Sequence, residues 1–274
     1  MCFTDSYIEN GYVSFYEDSS KIITALDGYF RNWVIEAGGV EYRIPALIDK
    51  KVLDKCGYFN SFPQHLTVAA YVKPECYENV VKEGEISKDY IDAEEKYLTP
   101  AACLHIYPML EGKNIDGSMD ITTLARVYRY EQGKFNGLTR LWDFSVRELV
   151  FVGTEDYVLG RLEEIKKKSA NFAKQLGIDA SIITANDHFY PTKENRVKAK
   201  IQRANTLKFE LSVPIQDNEV SVASFNFHGN HFSKPFNFEN HGKIVTGCVG
   251  FGLERWIAAI KEYKVETDSV LNNI

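Results

Sequence analysis

The 274-residue sequence has no apolar run long enough to cross a bilayer, no fixed-period repeat, no low-complexity tract and no Pro/Gly/Ser-rich linker. Those absences exclude a membrane-spanning, solenoid or fibrous chain and mark no second independent unit, so one domain over residues 1–274 is expected. Basic charge is also short. Against 38 Asp and Glu there are 32 Lys and Arg, a net charge of −6, and the longest basic run is Lys166-Lys167-Lys168. Extended nucleic-acid binding requires a larger cationic footprint. Cysteine is sparse, odd in number and scattered over positions 2, 56, 76, 103 and 248, with no secretory leader ahead of it. A disulfide framework is thereby excluded and the reducing cytoplasm is the expected compartment, with any cysteine role being packing, metal binding or thiol chemistry.

Core-forming material is present in quantity. Hydrophobic residues make up 45% of the chain, and a chain of this size buries roughly three quarters of its unfolded surface. In residues 20–37, Ile22, Ile23, Leu26, Phe30, Trp33 and Val34 recur at helical spacing, and Gly38-Gly39 end the run. VEYRIPALI follows as a strand whose Pro45 suits a sheet edge or an interface. TTLARVYRYEQG and TRLWDFSVRELVFV alternate as strands across the polar loop GKFNGL, the signature of a long hairpin. Residues 155–176 form a charged amphipathic helix with Val158, Leu162, Ile165, Ala173 and Leu176 on its apolar side. Strands near IITA, TLKFELSVPI, VSVASFNF and IVTGCVGF precede a last helix, LERWIAAIKEY. The sum is an α+β domain on an antiparallel sheet flanked by helices.

Two stretches carry chemistry. In Arg129-Tyr130-Glu131, read on a strand, residues two apart face one side, so a guanidinium fork for a phosphate stands beside a carboxylate for an exocyclic amine. Its bland alternative is an exposed cross-strand ion pair. In TGCVGFGLERWIAAI, residues 246–260, glycines 247, 250 and 252 permit close approach of backbone to a ligand, and a helix starting near Leu253 turns its positive end toward that point with Arg255 in its first turn. A tight strand-to-helix turn accounts for the glycines equally well.

Together these residues resemble the catalytic domain of class II aminoacyl-tRNA synthetases, in the seryl branch. Helix 20–37 with VEYRIPALI resembles motif 1, RYE with GLTRLWDFSVRE motif 2, and GCVGFGLER motif 3, in the right order over about residues 20–265. Motif 1 begins so near the start that the long tRNA-holding helical arm is expected to be absent. LTPAACLHIY, WDFSVRE, SFNFH and TGCVGFGLERW are instead similar to amino acid:[carrier protein] ligases, truncated homologues that activate glycine or alanine with ATP and load it onto the phosphopantetheine thiol of a carrier protein.

The resemblance implies residue roles. Arg129 would bind the α-phosphate and Glu131 the adenine amino group; Phe144 and Arg255 would sandwich the adenine, with Arg255 also near the γ-phosphate. Cys103, Glu148 and Cys248 would hold zinc with one position open, the pattern of a catalytic ion, although free cysteines are ordinarily buried packing residues. Magnesium would neutralise the phosphates, with Glu219 the acidic ligand although its spacing to the following Ser and Asn is one residue long; Asn226 is a weaker candidate. His228 and His231 are read as local hydrogen-bonding residues. The implied partners are a small amino acid, a phosphopantetheinylated carrier protein and a second copy of the chain through motif 1, with no tRNA and no membrane. Lys166–Lys168 offer a carrier docking face or, more plainly, a solvated helix surface. A tRNA-charging relative and a non-catalytic binding paralogue are the alternatives.

Overall fold

The computed structural model describes residues 5–274, so Cys2 lies outside it. Helix α1 (Glu17–Ile35) buries Ile22, Leu26, Phe30, Trp33 and Val34 along one stripe. Its first turn is held from outside: the Asp5 carboxylate accepts the Ser19 backbone N–H and, at 2.8 Å, the Ser19 hydroxyl.

The main sheet contains β1 (Val40–Glu41), β2 (Met119–Tyr128), β3 (Asp143–Gly153), β4 (Ser181–Thr184), β5 (Lys208–Ile215), β6 (Asn218–Gly229) and β7 (Val245–Gly252). In space they run β4-β5-β6-β7-β3-β2-β1. Every neighbouring pair is antiparallel except β1 with β2. Helices α2 (Glu155–Gln175) and α4 (Leu253–Glu262) join α1 in the helical layer, while α3 (Lys193–Ala204) lies between β4 and β5 in sequence.

Strand alternation sorts the two faces. On β3, Leu149 and Phe151 enter the helix-side core, whereas Val150 and Val152 enter a second core on the opposite side. On β7, Val249 and Phe251 go with the helices and Cys248 goes to the other side. Phe251 stacks on Phe30 at a centroid distance of 4.0 Å, with Trp33 edge-on at 5.6 Å. Gly247 has its reason here: a Cβ would stand 2.7 Å from Val158 Cγ1 and 3.0 Å from Leu162 Cδ1 of α2. It serves helix packing, not ligand approach.

Two expectations about strands change. VEYRIPALI does not form one strand. Only Val40–Glu41 pairs with β2, the last ladder bond being Tyr42 N–H to the Thr122 carbonyl at 2.8 Å, and Leu47–Asp49 pairs separately with Lys96–Leu98. Pro45, which has no N–H to donate, sits at the break. Arg129 and Glu131 likewise lie beyond β2, which ends at Tyr128; Glu131 (φ 47°) and Gln132 (φ 62°) adopt left-handed backbone in a short turn. The N-terminal hairpin, Ser6–Glu9 with Tyr12–Phe15, packs its turn on this loop: a Cβ on Gly11 would meet the Phe135 ring at 2.8 Å, and the Gly11 carbonyl accepts from Trp142 N–H at 2.6 Å.

No helix among the described residues is long and apolar enough to cross a membrane. The four described cysteines are all free.

Burial keeps two histidines uncharged: His65, whose Nδ1 lies 3.2 Å from the Tyr58 hydroxyl, is pulled down to about 3, and His105, whose Nε2 lies 2.8 Å from Thr99 Oγ1, to about 4. The unfolded chain takes up these protons near pH 6.5 and the folded chain refuses them, so each group withdraws stability as pH falls from about 6.5 toward its folded value. His65→Gln is therefore expected to flatten the acid limb of stability between pH 7 and pH 4, measured as the urea midpoint against pH beside the wild type.

Candidate active site

On the sheet face opposite α1, α2 and α4, a cavity of about 920 Å³ is lined by Arg129, Glu131, Phe144, Glu148, Glu219 and Arg255, and by Cys103 and Cys248. All eight residues singled out in the sequence meet this one space.

At one end, ligand atoms of Cys103, Glu148 and Cys248 lie within 4.8 Å of one another and all three side chains are buried. Three separate segments deliver them: the short helical turn Ala102–His105, β3 and β7. Glu148 pairs in register with Gly250, and Cys248 with Val150. The glycine is required, because a Cβ at 250 would stand 2.9 Å from Glu148 Oε2. Burial pushes the Glu148 carboxyl upward, against hydrogen bonds from Cys248 and Cys103 and the charge of Arg129. The hydrogen bond with Cys103, followed by burial, pushes the Cys248 thiol upward. Two sulfurs and a carboxylate oxygen are the donor types a tetrahedral divalent ion takes, and bonds of about 2.0–2.3 Å span ligand separations near 3.8 Å, so the set fits such an ion with a closure of about 1 Å.

The other end is polar and rigidly braced. Arg255 donates from Nε to the Thr139 carbonyl at 2.9 Å and from Nη1 to the Ser221 carbonyl at 3.0 Å, which locks its guanidinium between the loop after β2 and strand β6. Arg129 donates from Nε to the Pro100 carbonyl at 2.9 Å and its guanidinium stands 5.7 Å from the Phe144 ring centroid. Glu131 faces Arg140 at 3.3 Å. Glu219 lies at the rim, exposed, beside the β5–β6 turn, where it accepts from the Ser212 hydroxyl at 2.5 Å. Phe225, the residue that lengthens the spacing from Glu219 to Asn226, is regularly paired with Phe209, while a β-bulge lies nearer Glu219, at Val222, where register jumps from Leu211↔Ala223 to Ser212↔Ser221.

Several residues on the cavity escaped the sequence reading. Lys208, nearly inaccessible, pairs with Asp187 at 2.7 Å and Glu210 at 3.1 Å, and Gln202 of α3 donates to Asp187 at 2.8 Å. Phe62 stacks with His65 and with Phe189, at 5.5 and 5.0 Å. Buried Glu254 accepts Ser145 N–H at 2.8 Å and faces Arg126 at 3.5 Å, which ties the start of α4 to β3. Apart from Lys208 with Glu210 and Phe62 with His65, these pairs join segments far apart in the chain, and no local spacing announces them; only the acid in the first turn of LERW was a visible hint. In the Lys166–Lys168 run, Lys167 and Lys168 are exposed and pair with Glu163 and Glu164, whereas Lys166 is largely covered, its ammonium 4.1 Å from the Phe209 ring centroid and paired with Glu163.

Comparison with known proteins shows the family and the fold. The profile of the tRNA synthetase class II core domain (G, H, P, S and T) matches residues 86–264, and the chain belongs to that family. Amino acid--[acyl-carrier-protein] ligase 1 of Bradyrhizobium diazoefficiens is 32% identical over 236 residues, covering 82% of this chain and 72% of the relative. A type-2 serine--tRNA ligase of Methanocaldococcus jannaschii is 27% identical over 260 residues, covering 86% of this chain; the match spans only 50% of that relative. Among solved structures, the M. kandleri SerRS in complex with A. aeolicus tRNASec superposes with a TM-score of 0.84 at 21% identity, over 99% of this chain and 58% of that one. The α+β fold, with its mostly antiparallel sheet and flanking helices, is that of class II aminoacyl-tRNA synthetases.

Glu254 supplies the brace whose loss is simplest to read. Glu254→Ala strands the Ser145 N–H and is expected to cost about 2 kcal/mol, seen as a lower urea midpoint with unchanged slope, while Glu254→Gln retains an acceptor and most of the stability.

Proposed function

We propose that the chain is an ATP-dependent, AMP-forming ligase that activates a small amino acid, glycine or alanine, as an aminoacyl-adenylate and transfers it to the phosphopantetheine thiol of a carrier protein. The observation that carries this reading is the convergence of Cys103, Glu148 and Cys248 in the same cavity as Arg129, Glu131, Phe144 and Arg255, in a chain similar to an amino acid--[acyl-carrier-protein] ligase.

In the first half-reaction an amino-acid carboxylate oxygen attacks the α-phosphorus of ATP and pyrophosphate departs. Arg129 is positioned by Pro100 to neutralise charge that develops on the α-phosphate, Glu131 accepts from the adenine amino group, and Phe144 and Arg255 enclose the ring. Glu219 at the rim would serve as an acidic ligand for magnesium, which would supply positive charge against the phosphates. Cys103, Glu148 and Cys248 would hold a zinc ion, which would supply a Lewis acid for the neutral amine of the substrate and so help to orient its carboxylate. In the second half-reaction the pantetheine thiolate attacks the carbonyl carbon and AMP leaves; no side-chain base is required, because a thiolate is already a strong nucleophile toward a mixed anhydride.

The carrier would dock on α3 rather than on Lys166–Lys168. Helix α3 carries Lys193, Arg196, Lys198, Lys200 and Arg203 against the lone acid Glu194, exposes Val197 and Ile201 one turn apart, and lends Lys198, Ile201 and Gln202 to the cavity wall. A cationic face with an apolar seam suits an acidic carrier. The reading further holds that residues 1–274 act as one catalytic domain in the cytoplasm, paired as a homodimer through the α1–β1 region, where Val40 and Leu124 are exposed. A second reading, charging of tRNA, is favoured by the similarity to the serine--tRNA ligase; the net charge of −6 speaks against it.

Amino-acid-dependent ATP–pyrophosphate exchange, run over the twenty amino acids with zinc-replete protein, tests the enzyme reading. Exchange with glycine or alanine is expected, lost on chelation and restored by Zn²⁺, and Arg129→Ala should lower it by about 10²–10³-fold; no exchange with any amino acid leaves a binding paralogue. Loading of carrier protein against tRNA then separates the two ligase readings. Reversing charge at Arg196 and Lys200 is expected to raise the KM for the carrier at least about tenfold while exchange stays at the wild-type rate.

A further inference from the structure

Strand β6 carries a second irregularity, and it lies beside the cysteine cluster. Pairing with β7 runs regularly through Asn226↔Cys248 and Phe227↔Gly247, then jumps to Gly229↔Thr246, which leaves His228 as the bulged residue. A bulge re-aims the side chain it carries. The His228 ring is half-buried, with Nε2 3.5 Å from Cys248 Sγ and Nδ1 3.1 Å from Thr246 Oγ1 and 3.4 Å from the Tyr107 hydroxyl. Asn226 reaches the same sulfur, its Nδ2 standing 3.7 Å from Cys248 Sγ.

We infer that His228, aimed by the β6 bulge, is a positioning residue for the metal site: its Nε2–H donates to the Cys248 sulfur, with Asn226 as a second, longer donor. The inference deepens the zinc reading and rests on it. Hydrogen-bond chemistry settles the direction of the proton. The thiolate form of Cys248 is an acceptor only, so the nitrogen facing it must donate, which leaves Nδ1 as the acceptor. Thr246 supplies a hydroxyl proton there, with Tyr107 close by, and so holds the tautomer.

Charge balance gives the contact its purpose. Two thiolates and a carboxylate around a divalent ion leave one surplus negative charge in a buried site, and such a charge is costly without donors pointed at it. Arg129 is the cation that acts on Glu148, whereas Cys248 meets the neutral N–H groups of His228 and Asn226. Groups behind a ligand orient it and tune the ion, and their loss ordinarily costs 10–100-fold in metal affinity.

The test uses Co²⁺ alone as the probe in the purified full chain, because the sulfur-to-cobalt charge-transfer band reports on the thiolate whether or not the protein turns over. His228→Leu is expected to shift that band to lower energy, since an unbonded sulfur gives up its electrons more readily, and to weaken Co²⁺ binding by about 10–100-fold in chelator competition. His228→Gln, which keeps an N–H at the same reach, should stay near the wild type, and Thr246→Val should move the band in the direction of His228→Leu by a smaller amount. Circular dichroism checks folding; should His228→Leu fail to fold, Thr246→Val decides alone. A folded His228→Leu with unchanged band and affinity overturns the inference, as does His228→Gln impaired equally with His228→Leu, or an unmoved band in Thr246→Val. Wild-type protein that binds no Co²⁺ takes down the metal reading and this inference with it, whereas a cobalt–sulfur band indifferent to position 228 removes this inference alone.

Discussion

The pleat of two adjacent antiparallel strands governs this molecule. Because successive side chains on Asp143–Gly153 and Val245–Gly252 point to opposite faces, one set seals the helical layer while the alternate set is shared between the cavity and the second core. Glu148 and Cys248 are where they are because Leu149, Phe151, Val249 and Phe251 are apolar. A slip of one residue in β3 would drive the Glu148 carboxylate into the helix-side core and turn Phe151 to the opposite face, and a slip in β7 would do the same with Cys248 and Phe251, a double penalty that fixes the register.

Around that constraint the structure divides its glycines and its charges by task. Gly247 admits α2 and Gly250 admits the Glu148 carboxylate, although the two lie three residues apart in one strand and look alike in sequence. Arg255 and Glu254, neighbours at the start of α4, act in different directions: the arginine binds carbonyls of the loop after β2 and of β6, and the glutamate binds the backbone of β3. The site therefore draws rigidity from backbone partners, whose positions are set by the sheet. This is the preorganisation that charge-stabilising chemistry needs.

The two bulges on β6 show how a regular sheet accommodates local exceptions. At Val222 the extra residue separates Glu219, on the exposed side of the hairpin, from the buried run toward Asn226, and at His228 it brings a ring against Cys248. The wall formed by α3 adds a different element: Gln202, Asp187 and Lys208 tie a helix that buries little else to the strand beneath it. A polar tie of this kind holds position through geometry rather than through apolar area.

Much of the architecture was legible in the chain. The helix at 17–35, the long hairpin, the charged helix at 155–175 and the strand-to-helix passage at 245–262 each announce themselves through period-3.6 or period-2 spacing, which is local information. The glycine-arginine passage and the Arg-Tyr-Glu triplet marked the right residues, though the triplet works from a left-handed turn and not from a strand, a difference of backbone conformation that residue identity alone does not dictate. Helix α3 is amphipathic but too poor in apolar residues, and the pieces between residues 50 and 118 are too short, to be seen in advance. The sequence by itself determined which segments are amphipathic and which way their apolar faces must turn, because burial of those faces dominates the free energy of folding. Only the tertiary structure decided that a cysteine at 103, a glutamate at 148 and a cysteine at 248 come within 4.8 Å, and that a histidine bulged out of register leans on one of them. Contacts between distant segments depend on sheet order and register, which no short window of residues contains.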